Sequence, residues 1–157
     1  MIIYHGSHLV VKHPDVFHSR TAVDFGRGFY TTPLEEQAES WARRFLQRHK
    51  TAFVSQYQLD EVVFSEARCL RFDSYSEAWL NFILTCRTEK DDSDYAVVTG
   101  GIANDRVFDT VELFLQGLIQ KEEAIRRLRF EQPNVQIALR TQDVIERYLH
   151  FQGSRQL

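Results

Sequence analysis

Apolar positions fall along the 157-residue chain in short runs of two distinct periods. Residues 1–4, 28–31, 53–59, 69–72, 95–99 and 135–139 have the length and the β-branched or aromatic content of strands. Phe53-Val54-Ser55-Gln56-Tyr57-Gln58-Leu59 alternates for part of its length, as a half-buried strand does. Between these runs the period lengthens. Thr32, Pro33 and Glu35 fit N-cap, N1 and N3 of a helix, whose predicted apolar face is Leu34, Ala38, Trp41, Ala42 and Phe45. Ser74-Tyr75-Ser76-Glu77 reads as a second capping box ahead of Trp79, Leu80 and Ile83. Asn104 or Asp105 is placed to cap a third helix, striped by Val107, Val111, Phe114, Leu115 and Leu118, with Glu112 turned to solvent. Residues 121–129 and 141–151 are further helices. These elements do not alternate as βαβ units, which predicts an α+β fold with mainly antiparallel pairing. No repeat, linker or low-complexity stretch divides the chain, so residues 1–157 are expected to form one domain.

Composition narrows the class. At 18.5 kDa the chain can bury about 70% of its unfolded surface and needs no metal or disulfide staple. Its net charge is −3 and its pI about 6.1, so the overall balance points to neither nucleic acid nor an anionic membrane, although a local basic patch is compatible with it. Cys69 and Cys86 stand alone, with no CxxC and no His–Cys cluster, as expected in a reducing cytosol and without a metal site. The start MIIYHGSHLV has no export pattern, and no run approaches the ~18 apolar residues of a membrane span. The expectation is a cytoplasmic protein away from the membrane.

The candidate chemistry starts at Gly26-Arg27-Gly28-Phe29-Tyr30-Thr31. A dinucleotide fingerprint needs a third glycine where Thr31 stands, and a phosphate loop needs Gly-Lys-Ser/Thr. Neither pattern is present. The glycines are instead expected to turn the chain tightly and let its backbone approach a ligand, feeding a strand with Phe29 and Tyr30 on opposite faces. A second strand end carries Tyr4-His5-Gly6-Ser7, with a histidine ahead of a glycine and a hydroxyl. His8, His13, His18, His49 and His150 read as ordinary surface or core residues.

Together, His-Gly-Ser followed by Gly-basic-Gly-aromatic-Tyr and a helix resembles the ADP-ribosyltransferase superfamily. The likeness is to its diphtheria-toxin and poly(ADP-ribose) polymerase branch, with the His–Tyr–Glu signature. The chain also resembles a small bacterial family of unknown function placed in that superfamily, through YHGS, DFGRGFYTT, EQAESWA, ANDRVF and VQIALRT in that order. The resemblance spans the chain and implies a split, mostly antiparallel β-sandwich flanked by helices, with NAD as substrate in the cleft. It implies that His5 bonds the adenine-side ribose and that the main chain of Gly6 holds the nicotinamide carboxamide, with the Ser7 hydroxyl beside it. Tyr30, after Gly28, would stack on the nicotinamide, and Arg27 would reach the pyrophosphate.

The third signature position departs from that family. Gln136 stands where a glutamate is expected, and Ala138 leaves no acid two residues on. Cleaving the nicotinamide–ribose bond builds positive charge on the sugar, which a carboxylate stabilises and an amide does not. Losing that term costs about 100–1,000-fold in rate. Asp105 is the candidate substitute acid, its structural role being the helix cap. The resemblance implies mono-ADP-ribosylation of a protein or nucleic-acid acceptor, as in the toxin of a toxin–antitoxin pair with its antitoxin partner. The alternatives are a weak or inactive NAD-binding module and phosphate transfer from RNA to NAD, the last disfavoured by the acidic balance.

Overall fold

The computed structural model describes residues 1–102, 105–129 and 134–157, and among these seven strands form two sheets. β1 (Ile2–Ser7), β3 (Phe53–Leu59) and β7 (Leu149–Gln156) form an antiparallel sheet in the order β1-β3-β7. β2 (Phe29–Thr31), β4 (Cys69–Arg71), β5 (Val97–Gly101) and β6 (Val135–Leu139) form the second, in the order β2-β6-β5-β4. Only the β4–β5 pairing within them is parallel. With six helices, α1 (Glu35–Leu46), α2 (Val63–Glu66), α3 (Glu77–Arg87), α4 (Asp105–Leu115), α5 (Lys121–Leu128) and α6 (Gln142–Tyr148), the fold is α+β.

Strand alternation sorts the side chains into layers. Ile3, Tyr57 and Leu59 from one sheet meet Phe29, Val97, Ile137 and Leu139 from the other, with α6 at their flank, and this core fills the space between the sheets. Val98 and Ala138 face the opposite way, onto α3, α4 and α5 through Leu80, Ile83, Val107, Val111, Ala124 and Leu128. Ala38 and Ala42 of α1 pack with Ala52 and Val54 on the outer side of the three-stranded sheet.

The helix starts differ from expectation for a local reason. Thr32 is not the cap of α1: it is held in a bridge with Tyr4, and its hydroxyl donates to the Val135 carbonyl at 2.9 Å and accepts from the Leu34 amide at 3.1 Å, ahead of the helix. The chain stays extended through Leu34, and α1 opens at Glu35. Ser76, not Ser74, caps α3 by accepting from the Trp79 amide at 3.2 Å. The buried line of α1 is Ala38 and Ala42, whereas Leu34 and Trp41 face solvent. Glu112 does not face solvent alone; it accepts from Arg87 at 2.7 Å. Residues 149–151 leave the expected last helix to begin β7. Among the described residues no helix is long and apolar enough to cross a membrane, and no group of three or more His, Cys, Asp or Glu is placed to hold a metal.

Candidate functional site

Among the described residues the main chains of the two sheets meet at one bridge, Tyr4 with Thr32, and then part. Tyr4 exchanges both main-chain bonds with Thr32, at 2.8 and 3.0 Å. Tyr4 therefore cannot pair its amide with β3, and in an antiparallel ladder the next residue pointing the same way is Gly6. By the same count on β2, Thr32 and Tyr30 direct their N–H and C=O away from β6 and towards β1. A continued ladder would join Gly6 to Tyr30. Instead, the His5 imidazole enters the gap, and its Nδ1 lies 2.7 Å from the Tyr30 carbonyl. The N–H and C=O of Gly6 and the N–H of Tyr30 are left at the split with no partner among the described residues. Unpaired main-chain groups in a protected position are costly and call for a partner.

His5 is well placed to act as a neutral acceptor. A carbonyl oxygen can only accept, so Nδ1 carries the proton and Nε2 presents a lone pair. The ring packs against Phe29, centroids 4.5 Å apart. Burial lowers the His5 pKa, opposed by the bond to the Tyr30 carbonyl, so the ring is uncharged at neutral pH. Ser7 closes β1, its hydroxyl 3.4 Å from the Leu9 amide.

Tyr30 lies on the other face of β2, where it packs against the helix-side core. Its hydroxyl donates to the Gly26 carbonyl at 2.6 Å and accepts from the Phe25 amide at 2.9 Å. This clamp holds the loop that the sequence singled out, and burial raises the phenol pKa far from the neutral range. Gly26 sits at φ 72°, a left-handed turn that favours glycine. A Cβ on Gly28 would stand 2.8 Å from the Leu139 carbonyl, and one on Gly6 2.1 Å from the Ala38 carbonyl. Close packing against β6 and α1 thus requires these two glycines, whatever binds nearby. Arg27 is exposed, with no ion pair among the described residues.

Gln136 shares the Tyr30 face. Tyr30 pairs with Ala138, so Gln136 is its diagonal neighbour on the same face of the sheet. It is 7% exposed, opposite Gly100, and its Nε2 has no hydrogen-bond partner among the described residues. A buried orphan amide needs an explanation, and a polar ligand is one. The structure therefore joins His5 to Tyr30 and sets Tyr30 beside Gln136; no hydrogen bond links Gln136 to His5. Asn104 and the side chain of Asp105 lie outside the described residues, and Asp105 opens α4.

Several supporting groups escaped the sequence reading. Thr31 and Thr32 donate to the Ile137 and Val135 carbonyls at 3.0 and 2.9 Å, and Gln37 donates to Val135 at 3.2 Å, so β6 is fixed on both sides of Gln136. Arg87 holds Asp24 at 2.7 Å, and Arg140 pairs with Asp91 beneath Gly26. These partners are separated by 63 and 49 positions, beyond any local pattern. Cys86 lies close by, where burial first, then Asp91, push its pKa up to about 12 and disfavour the thiolate. A shallow hollow of about 350 Å³ lined by Leu70, Phe72, Phe82 and Tyr95 shares no residue with the His5, Tyr30 and Gln136 constellation.

Residues 1–151 match the family described as "Protein of unknown function (DUF3990)", and the chain belongs to that family. No curated protein and no solved structure matches it.

Proposed function

We propose that this member of the family binds NAD at the split between its sheets, cleaves the nicotinamide–ribose bond and transfers ADP-ribose to a macromolecular acceptor, as the resemblance to ADP-ribosyltransferases implies. The observation that carries the reading is the open main-chain edge at Gly6 and Tyr30. A carboxamide offers one acceptor oxygen and an N–H donor, the complement of the Gly6 N–H and C=O. His5 Nε2 accepts from a ribose hydroxyl, and the Tyr30 ring flanks the nicotinamide. The Gln136 amide bonds ribose oxygens as positive charge builds on the sugar, without contributing a countercharge.

One observation favours a second reading, NAD binding with little turnover. The acids on this side are already engaged: Asp24, whose charge acts on Tyr30, by Arg87, and Asp91, beside Gly26, by Arg140. NAD labelled in its adenylate half separates the two. Nicotinamide release and labelled macromolecule, both lost in His5→Ala, support transfer; saturable NAD binding without release supports the module; absence of binding removes both.

A further inference from the structure

α1 carries a line of side chains that, beyond the Gln37 bond to β6, takes no part in the core. Leu34, Gln37, Trp41, Arg44 and Arg48 recur at spacings of three and four, from the approach to the helix into the turn after it. Its inner end touches the site, since Gln37 donates to the Val135 carbonyl and the next residue is Gln136. Trp41, in the middle, is 43% exposed, and the Arg44 guanidinium lies over its ring, 4.7 Å from the centroid.

Charge distinguishes the outer end. Arg43 pairs with Glu39, and Arg155 with Glu35 and Glu39, on the neighbouring line. Arg44, Arg48 and Lys50 are exposed, and none has an acidic partner among the described residues. In a chain of net charge −3, three unneutralised cations gathered within seven positions are a local basic patch. The helix macrodipole favours cations in the last turn. It does not favour an exposed indole between those cations and the site.

We propose that this line is a docking track for single-stranded nucleic acid, with phosphates on Arg44, Arg48 and Lys50 and an unstacked base on Trp41. As the acceptor class for the transfer proposed above, it rests on that reading; as a binding surface it does not. Phosphates supply the missing negative charge at regular spacing, and an exposed ring accepts any base whose face is free, which a duplex does not offer. From Gln37 to Arg48 the track runs about 16 Å, room for a few nucleotides that end beside Gln136.

The test is fluorescence anisotropy of the full chain with short labelled DNA and RNA single strands of one mixed sequence, across a salt series. Affinity is expected to fall with salt. The Arg44→Ala/Arg48→Ala variant should lower the slope of log K against log salt by about 1.4, at about 0.7 per phosphate lost. Trp41→Ala should weaken binding about fivefold or more, with Trp41→Phe recovering most of it. These side chains are exposed and outside the NAD constellation, so nicotinamide release should be unchanged in the same variants. Tighter binding of RNA than of DNA would identify a 2′-hydroxyl contact on the track. No binding, salt-independent binding, or equal binding by all variants overturns the proposal, as does adenylate label passing to a protein with no competition from the oligonucleotide. Oligonucleotide binding lost in the variants while nicotinamide is never released leaves the surface standing and removes the NAD reading.

Discussion

At the scale of single residues, His5, Gly6 and Gln136 answer to different physics. His5 is held neutral by burial against the pull of the Tyr30 carbonyl. Its folded pKa lies below the unfolded value of 6.5, so the unfolded chain takes up the proton first as pH falls. Stability is therefore unaffected by this group above about pH 6.5 and declines as pH drops through that value towards the folded pKa. Urea melts should show this loss, and His5→Gln should show less of it. An equal pH dependence in the two proteins would contradict the assignment. Gly6→Ala places a methyl 2.1 Å from a helix carbonyl that cannot move without α1. It should cost about 1–3 kcal/mol or more, read from the shift in urea midpoint. For Gln136→Glu two effects compete. A charge in a 7%-exposed position weakens the fold, yet it supplies the countercharge that the proposed reaction lacks. Nicotinamide release should rise about 100–1,000-fold, alongside a lower melting temperature.

At the scale of elements, the segment leading into β2 is built as a clamp rather than a phosphate loop. Tyr30 reaches back to residues 25 and 26, Ser19 accepts from the Gly28 amide at 2.9 Å, and the partly buried pair Arg140 and Asp91 lies below. Arg140→Ala strands the Asp91 carboxylate, whose side chain is 10% exposed, and should cost about 3–5 kcal/mol. Removing both partners should recover part of that loss in urea melts; a silent single variant would sink the clamp. Elements buried on both faces were legible from local composition, and β3 and β6 occupy the residues that their apolar runs mark. β7 was not legible, because LHFQGSRQ is polar, ends at a sheet edge and owes its extended form to pairing with β3. The helical period of residues 142–148 simply ran past its end. Thr32 misled for a similar reason: its capping pattern was sound locally, but the bridge to Tyr4 prevailed. His5, Tyr30 and Gln136 could be named from motif order, whereas the unpaired edge between Gly6 and Tyr30 exists only once β1 and β2 are set side by side.

At the scale of the whole molecule, one helix, two sheets and three further helices lie in successive layers, and the site sits where the sheets part. The family match covers residues 1–151, which include the split and both flanking signatures. The central claim is that this split receives the carboxamide end of NAD. Isothermal titration of NAD into the wild-type chain tests it most directly, with His5→Ala and Tyr30→Ala in parallel and free nicotinamide as competitor. The account predicts saturable binding that nicotinamide displaces and that both substitutions weaken at least about tenfold, equivalent to about 1.4 kcal/mol. A wild-type chain that takes up no NAD, or that binds it equally well after both substitutions, would contradict it.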